Sequence, residues 1–227
     1  MSRRALIAGA GGVLGHALAD EFTSAGYAAV GLRRIGSEQA GTTTIPLLHC
    51  DLDDAGDTLC AVGDILAEHG PIDVLICNTS QFIVGGLAEL TFADFERAWR
   101  AAMASAIACT QAVLPGMLER GSGAIIFSGA TASIRGGARF AAFASAKFAL
   151  RGFAQSLARE MQARKIHVVH VILDGLLGGS PSASKFGGTE DTTMNPREVA
   201  RTYRWLVEQH PSVWTHEIDL RPSVEKF

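Results

Sequence analysis

Residues 9–15 read Gly9-Ala10-Gly11-Gly12-Val13-Leu14-Gly15, and this turn joins a short β-rich run at 5–8 to a helical stretch at 13–25. Glycine tolerates positive φ and, lacking a Cβ, lets the backbone approach a ligand closely. A strand that feeds such a turn and then a helix aims the free N–H groups and partial positive charge of the helix start at the turn, a place suited to a pyrophosphate. That order marks the first unit of an open parallel sheet. Arg3-Arg4 ahead of the apolar run imitates the start of a signal peptide, but the glycine spacing fits the phosphate-binding turn better.

The rest of the chain repeats the alternation. β-rich runs stand at 5–8, 28–32, 45–49, 74–77, 124–128, 167–173 and 217–220, and helical stretches at 13–25, 55–68, 92–120, 141–163 and 196–209, making about six helical layers if the third breaks near Arg100. This pattern predicts an α/β fold, a doubly wound seven-stranded parallel sheet (Rossmann fold). With 227 residues, 48% of them apolar, the chain fits one such domain over 1–227. Between the second and third strands, Gly36, Gly41 and three threonines predict a very short helix or a loop. Residues 174–195, rich in Gly and Ser, follow the sixth strand at the ligand-binding edge of the sheet and read either as a mobile lid or as a surface loop.

A formal net charge of -3 argues against a nucleic-acid partner and points to small molecules or copies of the same chain. No run approaches the roughly 18 apolar residues of a membrane span, so no membrane partner is expected. Cys50, Cys60, Cys77 and Cys109 have neither metal-ligand nor disulfide-scaffold spacing and read as buried thiols in a reducing compartment, by default the cytoplasm. No metal is expected, since His167 and His170, three apart on a strand, face opposite ways. Asn78-Thr79-Ser80 spells a glycosylation sequon but lies at a buried strand end. Leu32 stands where a carboxylate would hold the 2′-hydroxyl of NAD, whereas Arg33 and Arg34 suit the 2′-phosphate of NADP, so NADP(H) is favoured over NAD(H). The alternative for that pair is a solvated basic loop.

In order, and across most of the chain, these landmarks resemble the short-chain dehydrogenase/reductase family. Gly9, Gly12 and Gly15 space its glycine turn, with Val13 where the commoner form has glycine. Asp51-Leu52 resembles its adenine-contacting aspartate and hydrophobic neighbour. Cys77-Asn78-Thr79-Ser80 stands in place of Asn-Asn-Ala-Gly, with only Asn78 matching, and Thr110-Gln111-Ala112-Val113-Leu114-Pro115 looks like the end of its long helix. Phe143-Ala144-Ser145-Ala146-Lys147 keeps the spacing and lysine of Tyr-x-x-x-Lys but not its tyrosine. The resemblance implies a nicotinamide dinucleotide held by Gly9, Gly11, Gly12, Val13, Leu14, Gly15, Arg33, Arg34, Asp51, Leu52, Asn78, Lys147, Asp174 and Gly175. Alanine-rich stretches at 101–108 and 141–146 correspond to helices that build dimers or tetramers in the family, so a homodimer or homotetramer is implied; the plain alternative is packing onto the sheet.

In the family a tyrosine passes the proton, a serine steadies the substrate oxygen, a lysine tunes the tyrosine, and an asparagine props a water relay. Counting without gaps puts Phe143, Ala130 and Ala102 at the Tyr, Ser and Asn positions, and only Lys147 remains. The tyrosines present, Tyr27 and Tyr203, are expected away from the carboxyl edge of the sheet. Thr131 and Ser133 are candidate substitutes beside Ala130. Asp174, where the family has the proline of a Pro-Gly pair, is either a proton donor or a turn cap. Cys77 reads as a packed thiol. Phe140, Leu176, Leu177 and Phe186 hint at an apolar pocket. Two functions follow: an NADP(H)-dependent oxidoreductase with non-standard proton handling, acting on a small apolar substrate such as an iminium or activated alkene, or a catalytically inactive NADP-binding homologue serving as a regulatory or partner subunit.

Overall fold

The computed structural model describes residues 2–35 and 45–225. Strands β1 (Arg4–Ala8), β2 (Ala28–Arg34), β3 (Leu47–Cys50), β4 (Val74–Cys77), β5 (Gly123–Ser128), β6 (Ile166–Leu173) and β7 (Glu217–Leu220) form one parallel sheet in the order β3-β2-β1-β4-β5-β6-β7. Helices α1 (Val13–Ser24), α2 (Ala55–His69), α3 (Phe92–Arg120), α4 (Ala141–Gln162), α5 (Pro181–Lys185) and α6 (Pro196–Val207) complete the alternation. This is the doubly wound Rossmann fold. Because β1 pairs with both β2 and β4, the connections leave its carboxyl end in opposite directions and open a crevice there.

Strands covered on both faces read as continuous apolar runs, and every residue of β4 and β6 is buried. Leu6, Leu75, Ile125 and Phe127 meet α2, α3 and α4 on one face. Ile7, Ile76, Ile126 and Val169 meet α1 and α6 on the other.

Several boundaries differ from expectation. α3 runs unbroken past Arg100, because a capping box at Thr91 and Asp94 starts it and alanines, the strongest helix formers, carry it through 98–108. It ends at Gly121, whose φ of 60° closes the last turn. Contrary to the expectation that no run is long and apolar enough, α3 has the length and apolar content to cross a membrane, but most of its apolar stretch is buried within the fold. β3 starts at Leu47 because Pro46 has no N–H for the ladder, although its carbonyl accepts from Gly31 N at 2.9 Å. β2 continues through Arg33 and Arg34, which pair with His49 and Cys50. The expectation for Gly36, Gly41 and the threonines lies outside the described residues. Cys50, Cys77 and Cys109 are buried, but Cys60 on α2 is exposed, so it is not a core thiol.

The 174–195 segment has structure of its own. It holds α5, capped by Ser180 accepting from Ala183 N, and a bridge between Leu177 and Met194 that folds it back over the sheet edge. The α3 alanines at 101, 102, 104, 106 and 108, with Ala142, Ala144 and Ala146 of α4, are buried inside this one chain.

Candidate active site

The glycine turn is shaped by contacts that a side chain would break. Gly9 has a φ of 88°, and a Cβ there would lie 2.7 Å from Asn78 O; a Cβ on Gly15 would lie 2.5 Å from Gly9 O. A Cβ on Gly12 would meet nothing within 4 Å, so the space over the start of α1 is open. No acidic residue sits in the first turn of α1 and no side chain caps it, which leaves its positive end to the crevice. Asn78 holds the turn from β4, donating its backbone N–H to Ala8 O at 2.8 Å and its Nδ2 to Gly9 O at 3.3 Å.

Successive strand residues point to opposite faces, so Arg33 and Arg34 separate. The Arg33 stem lies over Gly11, its Cγ 3.2 Å from where a Cβ would be. Arg34 reaches Asp53 at 3.8 Å, and Asp53 also accepts from Gln81 Nε2 at 3.0 Å. Burial raises the Asp53 carboxyl above its ordinary range, against the lowering effect of Arg34. Asp51 is exposed and its Oδ1 accepts from Asp53 N at 3.0 Å, while Leu52 is buried in the core.

From this turn a cavity of about 750 Å³ runs along the carboxyl ends of the strands. Gly12, Val13, Leu14 and Asn78 line one part, and Ala130, Thr131, Phe143, Lys147 and Gly175 line another. Lys147 is buried, and its Nζ donates to Ser128 O at 2.8 Å. Desolvation lowers its ammonium from 10.5 to about 8. Phe143, one helical turn earlier, places its ring centroid 5.9 Å from Lys147 Nζ. Phe82 packs against Phe143, Phe140 and Phe186 at centroid distances of 5.0, 5.6 and 5.8 Å, an aromatic wall that includes both phenylalanines expected to face an apolar pocket. Leu176 and Leu177 line it too.

Thr131 and Ser133 sit on a single 3₁₀ turn after β5, yet their hydroxyls go different ways. Ser133 is fully buried and its Oγ accepts from Ala130 N at 3.0 Å. Thr131 lines the cavity and donates to Asp174 Oδ1 at 2.5 Å. Asp174 is buried, with Arg221 at 3.2 Å and Arg135 at 3.7 Å. Ala102 is buried in the core beneath α4.

The short chain dehydrogenase family matches residues 3–180 of this sequence. The chain belongs to the short-chain dehydrogenase family. A D-xylose 1-dehydrogenase of Caulobacter vibrioides is 31% identical to it over 178 residues, 75% of this chain and 70% of that protein. A short-chain dehydrogenase from Rhodopseudomonas palustris superimposes with a TM-score of 0.81 at 32% identity, covering 97% of this chain and 98% of the other. The closed form of a serine dehydrogenase complexed with NADP+ shares the fold, with a TM-score of 0.86 at 21% identity and coverage of 99% and 96%.

Two features of this short-chain dehydrogenase escaped the sequence. Tyr203, expected far from the carboxyl edge, sends its hydroxyl to Ser128 Oγ at 2.8 Å, at the last residue of β5. It does so from the α6 face, fully buried and outside the cavity lining, and burial raises its phenol. His170, fully buried on β6, bonds Glu217 Oε2 through Nδ1 at 2.9 Å, and Arg151 clamps the same carboxylate at 2.7 and 2.8 Å. Desolvation lowers the imidazole to about 4, so it is neutral at neutral pH. His167 turns the other way and stacks on Trp214 at 4.7 Å. Cys77, wholly buried, has its thiol pushed up by desolvation and is a packed group. Among the described residues, no three of His, Cys, Asp or Glu gather to hold a metal.

Proposed function

We propose that this chain is an NADP(H)-dependent oxidoreductase whose proton handling does not use a phenol. The observation that carries this reading is the continuity of one cavity from Gly12, Val13 and Leu14 at the start of α1 to Lys147 on α4. That span suits a dinucleotide with its pyrophosphate on the glycine turn and its nicotinamide end beside Lys147. When bound, NADP(H) supplies or accepts the hydride. Gly9, Gly11 and Gly15 would keep the turn close and Asn78 brace it, Asp51 would stand at the adenine end with Leu52 in the core behind it, and Asp174 and Gly175 would border the nicotinamide end. Arg33 over the turn supports NADP, while Arg34 turns to Asp53, and the complex of serine dehydrogenase with NADP+ supports the same preference. With Phe143, Ala130 and Ala102 at the family's Tyr, Ser and Asn positions, Lys147 and Thr131 are left as polar groups on the cavity, since Ser133 is buried against Ala130 N outside its lining. The aromatic wall favours an apolar substrate, and the cytoplasm is the compartment that fits free thiols. Phe92, Trp99 and Phe148, exposed on α3 and α4, support a homodimer or homotetramer.

A second reading is an inactive NADP-binding partner subunit. The bond of Lys147 to a backbone carbonyl, with an apolar ring one turn away, favours it. One experiment separates them: thermal shift with NADP(H) and NAD(H), then absorbance of the reduced cofactor against carbonyls, imines and enones. A shift only with NAD(H), or none, overturns the NADP reading, and a shift without turnover favours the inactive one.

A further inference from the structure

We propose that Thr131, backed by Asp174, is the proton acceptor of this site, and that the site is built to oxidise a secondary alcohol with an apolar body. The inference rests on the reading that the cavity holds the nicotinamide end of the cofactor.

A threonine hydroxyl has one hydrogen and two lone pairs. Here the hydrogen is committed, because Thr131 Oγ1 donates to Asp174 Oδ1 at 2.5 Å. What Thr131 offers the cavity is therefore a lone pair. A carbonyl or an imine nitrogen would need a donor, and would have to break the Asp174 bond to find one at this residue. An alcohol O–H finds an acceptor already oriented.

The neighbours make Thr131 the only hydroxyl of its turn with this role. Ser133 is fully buried and its oxygen accepts from Ala130 N. Two guanidinium groups hold Asp174: Arg221, which is shared with Asp219 and lies outside the cavity lining, and Arg135, which lines the cavity at 3.7 Å from Asp174 and is half exposed to water. In the same cavity the Phe82, Phe140 and Phe143 rings form an apolar wall, with Phe143 and Phe140 packed against Ala130 and Ala132 on either side of Thr131.

The step balances as follows. The carbinol C–H bond breaks and its hydrogen leaves with both electrons to the oxidised nicotinamide. The alcohol O–H proton passes to Thr131 Oγ1 as the C=O bond forms. The Thr131 proton moves to Asp174, which returns it to water, and the products are ketone, reduced cofactor and one proton. Thr131 touches the substrate; Asp174 acts through it as a positioning and proton-holding residue.

The test uses 1-phenylethanol and 1-(2-naphthyl)ethanol, with acetophenone and 2-acetonaphthone as the matched ketones, on NADP+-loaded protein. Calorimetry is expected to show the alcohols binding about fivefold tighter than the ketones, the worth of one net hydrogen bond, and Thr131→Val is expected to abolish that preference. Turnover of the alcohols is expected to fall roughly 100-fold or more in Thr131→Val, to persist in Thr131→Ser, and to fall in kcat with KM unchanged in Asp174→Asn, which keeps an acceptor for Thr131 but takes no proton. Equal or tighter binding of the ketones, no oxidation of either alcohol, or wild-type kcat in Thr131→Val or Asp174→Asn overturns the proposal. Absence of any NADP+-induced thermal shift in the wild type instead overturns the cofactor reading on which it rests.

Discussion

Lys147 Nζ donates to the backbone oxygen of Ser128 at 2.8 Å, so a buried ammonium on α4 is tied to the last residue of β5 by a neutral acceptor. No carboxylate pairs with it among the ion pairs of the described residues, and desolvation alone brings it from 10.5 to about 8. The unfolded chain therefore holds this proton more tightly than the folded one between those two values, and stability rises with pH across that window. The cost of the buried charge is on the order of 3 kcal/mol. Chemical denaturation of the wild type and Lys147→Met at pH 7 and pH 10.5 is expected to show the wild type gaining about that much relative to the variant.

Tyr203 meets Ser128 from the other face of the sheet. Replacing it with Phe removes the phenol and leaves Ser128 Oγ buried beside an apolar ring, an unsatisfied group worth about 1–3 kcal/mol. Tyr203→Phe should lower the melting temperature accordingly. Because Tyr203 lies outside the cavity lining, turnover per folded molecule should stay within twofold of wild type, roughly the precision of such a comparison. A much larger fall in turnover would make Tyr203 the relocated proton donor.

Gly12 and Gly15 separate ligand binding from packing. A Cβ on Gly15 meets Gly9 O at 2.5 Å, so Gly15→Ala forces α1 off β1 and should destabilise the fold by about 1–3 kcal/mol, read by urea denaturation. A Cβ on Gly12 meets nothing in the protein, and its φ of -96° suits any residue. Gly12→Ala should fold as the wild type does but lose the NADP(H)-induced thermal shift, because the methyl group fills the space over the start of α1.

The two parts of the site differ in how far the sequence announces them. The turn at 9–15 is local: its glycines, the strand before it and the helix after it are contiguous, and 5–8 and 74–77 end as strands where their apolar runs end. Whether α3 continues past Arg100 is not encoded locally, since a polar residue on a largely buried helix looks like a boundary until the packing around it is known. The polar end is assembled from distant segments. Thr131 and Asp174 are 43 residues apart, and Ser128 and Tyr203, which meet on the α6 face, are 75 apart. No periodicity encodes such pairs. Arg33 and Arg34 illustrate a subtler limit: as neighbours they suggest a common target, but the extension of β2 through both sends one over Gly11 and the other to Asp53.

Phe143 tests whether the chemical end can be rebuilt. On the proposed reading it takes the place of a tyrosine, one turn before Lys147, whose ammonium already lies 5.9 Å from the ring centroid. Phe143→Tyr adds a hydroxyl at the rim of a cavity, with Phe82 packed edge-on at 5.0 Å to hold the ring. Ala130→Ser supplies a second hydroxyl on a residue that lines the same space. General acid–base catalysis contributes roughly 10²–10⁴-fold, or about 3–5 kcal/mol of barrier. The double variant is therefore expected to reduce acetophenone with NADPH at least about tenfold faster than the wild type, the low end allowing for imperfect placement. The new phenol should also give the rate a pH dependence absent from the Ala130→Ser single variant. A flat response, with the NADP(H) thermal shift intact, would mean that the carbonyl cannot reach Phe143 and that the substrate oxygen sits nearer to Thr131.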